Sequence, residues 1–215
     1  MAINQVLASQ PILRGAPTPA LLQLAQRAVL LSVEPGQLLC GEAHRTGNVW
    51  FVARGLLHAT IQSKNGSPVT VDVLRPGEAY GYLSCWAGGK MGHGEDVSGL
   101  VDAQVVGVPA ARFVEFVQNH QPAAHALLEE TAERVHALMR LRAISTEPAD
   151  QRVRSVLAFL HDKLGPRIPM TRAMIATVAG LTTETVSRAM APLRRRGVIA
   201  LRRGVVEILD RAPLQ

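Results

Sequence analysis

Residues 171–196 read TRAMIATVAGLTTETVSRAMAPLRRR, and this stretch determines how the last third of the chain folds. Apolar residues recur at helical spacing on both sides of Gly180, so we predict two helices joined by a tight turn at Gly180-Leu181. Ala176, Gly180 and Val186 have the spacing that this arrangement needs. A small Ala lets the helices approach, Gly permits the turn and Val packs in the crossing, which predicts a helix-turn-helix.

The side chains of the second predicted helix divide between two faces. Three apolar residues recur at i, i+4 and i+7 and are expected to face inward: Val186, Met190 and Leu193. Glu184, Ser187 and Arg188 share the opposite face, near the start of the helix. In a helix-turn-helix this end enters the major groove, where Arg can bind guanine and Glu can accept a hydrogen bond from cytosine. We therefore predict that these three side chains read bases.

Hydroxyl and basic side chains flank this face and are expected to contact the DNA backbone. Thr171 is a suitable N-cap for the first helix, and Thr182 or Thr183 for the second. The expected backbone contacts are Thr171, Thr182, Thr183, Thr185, Arg194, Arg195, Arg202 and Arg203. Two alternatives stay open: Glu184 and Arg188 suit an ordinary i,i+4 surface ion pair, and arginines at a helix end complement its dipole.

The charge of the chain is concentrated in the same region. The 215 residues carry a net charge of +6. Residues 148–215 hold 12 Lys and Arg against 5 Asp and Glu, a net +7, whereas residues 1–147 hold 11 against 12, a net −1. All of the excess positive charge therefore lies in the last third, which predicts a polyanion as the partner of that region.

The elements around this motif extend the prediction. ADQRVRSVLAFLHDKLG, at 149–165, is an amphipathic helix closed by Gly165, and VIALRRGVVEIL, at 198–209, predicts two short strands around Arg202-Arg203-Gly204. Three helices followed by a hairpin is the element order of a winged helix-turn-helix.

The first half of the chain has a different pattern. Residues 19–31 have helical apolar spacing and predict a short helix. Between about 32 and 110, short apolar runs alternate with turn signals every ~8–12 residues, which is typical of an antiparallel sandwich or barrel. Asn65-Gly66 predicts a hairpin turn because both residues tolerate positive φ. A short helix is expected at ARFVEFVQNH, 111–120.

A long helix is predicted over 122–143, beginning at Pro122 and running about six turns without a break. Its narrow seam has a coiled-coil-like spacing and consists of Leu128, Thr131, Val135, Leu138 and Arg142. A lone helix with such a seam is expected to pair with a second copy of itself, so we predict a homodimer. The alternative is that the helix packs lengthwise on its own β domain.

Several classes of protein are excluded or disfavoured. No apolar run approaches the ~18 residues that a membrane helix needs, and MAINQVLASQ does not resemble a signal peptide. Cys40 and Cys85 cannot form a disulfide framework and are expected to be buried thiols in a reduced, cytoplasmic protein. Motifs of nucleotide-binding, zinc-dependent and serine-nucleophile enzymes are absent, so we do not expect an enzyme.

Over essentially its full length the chain resembles the cyclic-AMP receptor protein/FNR family of bacterial transcription regulators. EPGQLLCGE at 34–42, VWFVARG at 49–55 and LRPGEAYG at 74–81 are similar to the family's β-roll, and ETVSR at 184–188 matches the FNR-type pattern E-x-x-S-R. The resemblance implies an α+β fold: an antiparallel β-roll of the cyclic-nucleotide-binding, jelly-roll type (1–121), a dimerisation helix (122–147) and a winged helix-turn-helix (148–215).

The resemblance also implies a function. Glu184, Ser187 and Arg188 would read a TTGAT-like half-site in double-stranded DNA, repeated in inverted orientation by the dimer. The regulator would act on RNA polymerase, and a signal in the β-roll would be coupled to DNA binding through the long helix. A β-roll signalling module without DNA binding is the alternative from another class.

The effector is not identified by the resemblance. Family members that bind cyclic AMP have Glu where this chain has Tyr82, and their Arg-Ser pair aligns with Gly94 and Glu95, so no cyclic-AMP response is expected. The candidate effector-pocket residues are Tyr80, Tyr82, Leu83, His93 and Glu95. Two cysteines are too few for the four-cysteine iron–sulfur cluster of oxygen-sensing members. Haem held by His93 stays an alternative, with His44, His58 and Cys85 also in the domain.

Overall fold

The computed structural model describes residues 2–41, 47–62, 68–86 and 95–214. The chain divides into two compact units: Met1–Ala59 with Val73–His136, and Thr60–Asp72 with Ala137–Gln215. The division falls within the long helix, whose first part belongs to one unit and whose last part belongs to the other. The sequence predicts that helix as a region of its own.

The helices of the first half surround a mainly β region. They are α1 (Ile3–Ala8), α2 (Thr18–Ala25), α3 (Tyr82–Trp86), α4 (Ala110–Asn119) and α5 (Gln121–Ser145), with a short 3-10 helix at Pro11–Leu13. The long helix α5 and the short helix α4 form where the sequence predicts them. The short helices α1 and α3 carry too few residues for a periodic pattern to reveal them.

The strands of the first half form two four-stranded sheets. They are β1 (Val29–Val33), β2 (Leu38–Cys40), β3 (Asn48–Arg54), β4 (Leu57–Gln62), β5 (Pro68–Leu74), β6 (Ala79–Tyr80), β7 (Asp96–Gly99) and β8 (Ala103–Pro109). The strand orders are β1-β8-β3-β6 and β2-β7-β4-β5. The pairings of β1 and β3 with β8, of β3 with β6 and of β2 with β7 are antiparallel, as predicted. The Asn65-Gly66 turn lies outside the described residues.

The predicted helix at 19–31 is wrong in its second half. Helix α2 ends at Ala25, and Val29–Val33 form strand β1, paired antiparallel with β8 from Val29↔Gly107 to Val33↔Ala103. Val29, Leu30 and Leu31 are all exposed, so their apolar spacing does not mark the buried face of a helix. Hydrogen bonding to β8 outweighs the local helical pattern here.

The core of the first unit lies between the β8-containing sheet and the flanking helices. Phe51 of β3 meets Phe113 of α4 edge to face, with ring centroids 5.9 Å apart. The buried cluster includes Val6, Leu7, Ile12, Leu13, Leu24, Val49, Val106, Val108, Phe116 and Ala123. Aliphatic side chains thus fill most of this interior, in a chain whose aromatic content is only 4%.

The second unit contains the C-terminal elements. They are α6 (Ala149–Leu164), β9 (Arg167–Ile168), α7 (Arg172–Ala179), α8 (Thr183–Arg195), β10 (Ile199–Arg202) and β11 (Val205–Ile208), followed by a 3-10 turn at Ala212–Leu214. The strand order is β10-β11-β9. The winged helix-turn-helix order is confirmed. Strand β9 is a third strand that the sequence does not predict, because two residues carry no alternation.

The segment Thr60–Asp72 belongs to the second unit, and two residues of β5, Thr70 and Asp72, contact its helices. Asp72 is 2% exposed, and its Oδ1 lies 3.3 Å from Lys163 Nζ of α6. Thr70 Oγ1 donates a hydrogen bond of 3.2 Å to the carbonyl oxygen of Thr177 in α7. An ion pair and a hydrogen bond thus join β5 to α6 and α7. Among the described residues, no helix is long and apolar enough to span a membrane.

Substitution of Gly55, between β3 and β4, is expected to lower the free energy of unfolding. Its φ is +79°, and a Cβ there would overlap the carbonyl oxygen of Asp102 and the Cα of Ala103. Gly36 has φ +78° with no atom within 4 Å of a Cβ, so it is a matched control. Gly36→Ala should cost about 1–2 kcal/mol, the left-handed strain alone. Gly55→Ala should cost clearly more, measured by urea denaturation, and equal losses would contradict the predicted overlap.

Candidate nucleic-acid interface

The start and the end of α7 are held by local interactions. Thr171 is its N-cap, and Thr171 Oγ1 accepts a hydrogen bond of 3.3 Å from the backbone N–H of Met174. Gly180 ends the helix in the left-handed conformation, with φ 62° and ψ 40°. A residue with a Cβ adopts this conformation only with strain, so Gly180 allows the sharp turn into α8.

Thr182, not Thr183, is the N-cap of α8, which resolves the alternative that the sequence left open. Thr182 Oγ1 accepts a hydrogen bond of 3.2 Å from the backbone N–H of Thr185, and the two hydroxyl oxygens are 2.9 Å apart. Thr183 is the first helical residue and is exposed. The hydroxyl groups of Thr182 and Thr185 therefore form part of the cap, while the start of the helix faces solvent.

The predicted division of α8 into two faces is present in the structure. The inner face is buried: Val186 (0% exposed), Ala189 (8%), Met190 (0%) and Leu193 (4%). On the outer face Glu184 and Arg188 are exposed, and Ser187 is partly exposed. Within the described residues no ion pair joins Glu184 to Arg188. The outer face therefore presents an acceptor, a hydroxyl and a cation that are accessible to a ligand.

A basic cleft of about 340 Å³ lies at the other end of α8. It is bounded by the start of α7, the end of α8 and the β10–β11 hairpin, and its lining includes Thr171, Arg172, Arg194, Arg202 and Arg203. Arg195 and Arg196 are exposed nearby in sequence, at the end of α8. The structure thus brings together three of the arginines that the sequence predicts to contact the DNA backbone.

The basic residues of the cleft differ in their partners. Arg202 Nε is 3.0 Å from Glu207 Oε2 across the hairpin, so this guanidinium is already paired with a carboxylate. Arg172 is a lining residue that sequence reasoning missed. It is the first residue of α7, where a positive charge opposes the helix dipole. Because this position does not stabilise the helix, it indicates that Arg172 has another role, such as binding an anion.

Part of the predicted excess charge is used within the second unit. Arg152 donates to the carbonyl oxygens of Glu147 (2.9 Å) and Ala179 (3.4 Å). Arg211 makes a two-bond contact with Asp162, at 2.8 Å each, and the guanidinium holds the pKa of that carboxyl well below its usual range. With Lys163 paired to Asp72, the net +7 of residues 148–215 overstates the charge that remains for a polyanion.

Helix α5 exposes most of its predicted seam. Leu128 is 69% exposed, Val135 42% and the neighbouring Met139 64%. Thr131 and Leu138 are partly buried, and Arg142 is exposed. Ala123 is buried and Leu127 packs against the core of the first unit, so the helix contacts its own β domain through its first turns. Beyond these turns the apolar side chains of Leu128, Val135 and Met139 lie uncovered.

The candidate effector residues are in part joined to one another. Tyr80 and Tyr82 are buried, at 3% and 1% exposed, and burial raises the pKa of each phenol. Tyr80 Oη donates a hydrogen bond of 2.7 Å to Glu95 Oε2. Leu83 is 49% exposed. His93 and His44 lie outside the described residues.

The two cysteines and His58 all lie in the first unit. Cys40 is buried, and burial raises the pKa of its thiol to about 12, with the carboxylates of Glu95 and Asp96 adding to the shift. Cys85 is only partly buried, and its Sγ lies 3.5 Å from the carbonyl oxygen of Gly81. His58 Nε2 is 2.8 Å from Ser98 Oγ. Across the described ranges, no group of three His, Cys, Asp or Glu side chains is arranged to hold a metal ion.

Two family models match the chain. Residues 30–120 match the cyclic nucleotide-binding domain, and residues 151–215 match the Crp-like helix-turn-helix domain. The second match contains α7, α8 and the basic cleft, and the first contains strands β2 to β8 and most of β1.

Individual proteins are similar to the chain over most of its length. The chain is 28% identical to the cyclic AMP receptor protein of Thermus thermophilus over 169 residues, which is 78% of this chain and 77% of that protein. It is 27% identical over 194 residues to the transcriptional activator protein FnrL of Cereibacter sphaeroides, 84% and 76% of the two chains. The FixK2 structure from Bradyrhizobium japonicum superposes with a TM-score of 0.75 at 21% identity, covering 87% of this chain and 95% of that one.

The cap of α8 generates a prediction. Thr182→Ala removes the hydroxyl that accepts from the backbone N–H of Thr185, and it should destabilise the second unit by about 0.5–2 kcal/mol. Thr182→Ser keeps the hydroxyl and is the matched control, with a loss below that range. Urea denaturation followed by helical circular dichroism measures both. If serine and alanine have the same effect, the hydroxyl does not contribute as a cap.

Proposed function

Because the chain belongs to the cyclic-AMP receptor protein/FNR family of transcription regulators, we propose that it reads a TTGAT-like inverted repeat as a homodimer. The two family models and the curated relatives identify a DNA-binding transcription regulator of this family. Those relatives are regulators and not enzymes. Recognition of a specific site is proposed from α8, because its inner face is buried while Glu184 and Arg188 are exposed at its start.

The proposed base contacts follow from the chemistry of the exposed face. Arg188 presents a guanidinium that can bind O6 and N7 of guanine with two hydrogen bonds. Glu184 can accept only, which suits the N4 amino group of cytosine, and the hydroxyl of Ser187 can donate or accept. Since a guanine and a cytosine are the two bases of one pair, these side chains discriminate that pair from A·T.

The proposed backbone contacts supply affinity for any sequence. The guanidinium groups of Arg172, Arg194 and Arg203 line one cleft with the hydroxyl group of Thr171. Phosphate contacts of this kind release counterions, so binding weakens as salt is added. Arg202 contributes less in this proposal because Glu207 neutralises part of its charge.

Dimerisation is proposed from the uncovered side chains of α5. Leu128, Val135 and Met139 would lose contact with water if a second α5 packed along them, and this burial favours association. Two copies related by a twofold axis would present two α8 helices about 34 Å apart, one turn of DNA. The inverted repeat of the proposed site follows from that symmetry.

The proposed regulator does not respond to cyclic AMP. The cyclic nucleotide-binding model covers the domain, but the residues at the aligned positions do not fit the nucleotide. Tyr82 is buried where Glu holds the ribose in cyclic-AMP-binding members, and the carboxylate of Glu95 accepts from Tyr80 where a phosphate needs a donor. DNA binding then places or blocks RNA polymerase at the bound promoter.

Two arginine substitutions test the proposed roles. Arg188→Ala should cost about 1–3 kcal/mol on the TTGAT repeat and relax the preference for its G·C position, since one bidentate contact is lost. Arg203→Ala should weaken binding to specific and random duplexes alike and reduce the salt slope by about 1. Fluorescence anisotropy on both duplexes at several salt concentrations measures these effects.

Arg202→Ala is the matched control in the same hairpin. It should reduce affinity less than Arg203→Ala because Glu207 already pairs with Arg202. Equal losses on specific and random DNA for Arg188→Ala and Arg203→Ala would show that the assigned roles are wrong. A wild-type chain that binds neither duplex would contradict the proposed function itself.

The dimer seam is tested by Leu128→Asp. An unpaired carboxylate in a buried interface costs about 3–5 kcal/mol, so the dimer dissociation constant should rise at least about 100-fold. Leu209→Asp introduces the same charge at a leucine that is 60% exposed in the second unit and should leave the dimer intact. Native mass spectrometry of both variants gives the result, and a Leu128→Asp protein that remains dimeric would place the interface elsewhere.

A further inference from the structure

One basic side chain of α5 turns inward against the β-roll. Arg134 is half-buried, and its Cζ lies 5.0 Å from the centre of the Tyr80 ring and 5.9 Å from that of Tyr82. Its Nη1 donates a hydrogen bond of 3.2 Å to the carbonyl oxygen of Ala79 in β6. A guanidinium over two aromatic rings is attracted by both, and the attraction is stronger where water is excluded.

The groups beneath Arg134 are themselves held in place. Tyr80 and Tyr82 are almost fully buried, and the hydroxyl of Tyr80 donates to Glu95, which immediately precedes β7. The backbone of Ala79 is part of β6, paired with β3 through Phe51. The guanidinium therefore meets a packed surface and not an open loop.

Arg134 also occupies a particular position along α5. The helix begins with side chains that pack on the core of the first unit, ending with Leu127. Farther along the helix, Glu133 and Val135 flank Arg134 and are exposed, as is His136. The first unit ends at His136. Arg134 is thus the last inward-facing side chain of α5 within that unit.

The contact lies where the family resemblance places the effector, at Tyr82 and Glu95. We propose that Arg134 is a positioning residue that fixes α5 on β6 and α3 through a contact internal to the chain. The inference rests on the proposed function, because fixing α5 affects the half-site spacing that a dimer accepts on DNA. It deepens that function by assigning the regulation of the site to an internal contact.

The geometry links this anchor to the dimer seam. Thr131, Val135 and Leu138 are within four residues of Arg134, about one helical turn. Rotation of the helix about its axis would break the contacts of Arg134, so these contacts favour one direction for the seam residues. In a twofold dimer the seam determines how the two helices pair, and the pairing determines the half-site spacing that the dimer accepts.

The test compares variants of the full-length chain. Arg134→Met keeps a long stem and removes the guanidinium, so the core can still fold, and thermal denaturation verifies this. Arg112→Met removes an exposed arginine of α4 whose described partner is Glu115, and is the matched control. Tyr80→Phe removes the hydroxyl bond to Glu95 and keeps the aromatic ring beneath Arg134.

The first measurement is hydrogen–deuterium exchange in peptides covering residues 128–139. Exchange should be faster by at least about fivefold in Arg134→Met, faster to a smaller extent in Tyr80→Phe, and unchanged in Arg112→Met. Adding cyclic AMP at millimolar concentration should leave the wild type unchanged. Equal exchange in the Arg134 and Arg112 variants overturns the proposal, as does protection of wild-type α5 by cyclic AMP.

The second measurement is affinity for inverted repeats whose half-site spacing is varied. The wild type should prefer one spacing by at least about tenfold, and Arg134→Met should reduce that preference to less than about threefold. Faster exchange with an unchanged spacing preference overturns the positioning role. A wild-type chain that prefers no inverted repeat contradicts the proposed function. In that case the hydrogen–deuterium exchange of residues 128–139 still tests whether Arg134 holds α5.

Discussion

The burial of one face of α8 is the interaction on which the function of the molecule depends. Val186 and Met190 are completely removed from water, and each contributes on the order of 1.5–3 kcal/mol through that burial. Residues four apart share a face of a helix, so Val186 and Met190 lie together on the inner face and Glu184 and Arg188 on the outer face. Burial of the inner face therefore orients the outer face toward solvent. The left-handed turn at Gly180 and the cap at Thr182 place the start of the helix outward. The proposed reading of bases by Glu184 and Arg188 therefore depends on hydrophobic packing.

Positive charge supplies affinity for DNA in addition to that packing. The cations available for this purpose are fewer than the sequence of the last third suggests. Several cations of the last third are consumed in the structure: Arg152 binds carbonyl oxygens, Lys163 pairs with Asp72 and Arg211 with Asp162. The arginines at the start of α7, at the end of α8 and in the hairpin share one cleft. The positive charge of this cleft suits contact with the phosphate groups of a duplex.

The elements that the sequence predicts are those whose patterns are long and local. Helices α4 to α8 and the β10–β11 hairpin are predictable because their apolar patterns are local, and in α7 and α8 the threonine caps and Gly180 agree with the pattern. The strand at Val29–Val33 is missed because its partner, β8, is about 75 residues away, and local spacing cannot show such a pairing. Arg134 is missed for the same reason: on the helix it is one arginine among polar residues, and only the fold brings Tyr80 and Tyr82 beneath it.

The proposed function requires that two α8 helices read one inverted repeat. Hydroxyl-radical footprinting of the full-length chain on a duplex with an inverted TTGAT repeat tests this requirement, because the method maps contacts without assuming which residues make them. Two symmetric protected segments are expected, one per half-site, centred about one helical turn apart. A single protected segment, or protection that does not depend on the sequence of the duplex, would contradict recognition by paired α8 helices.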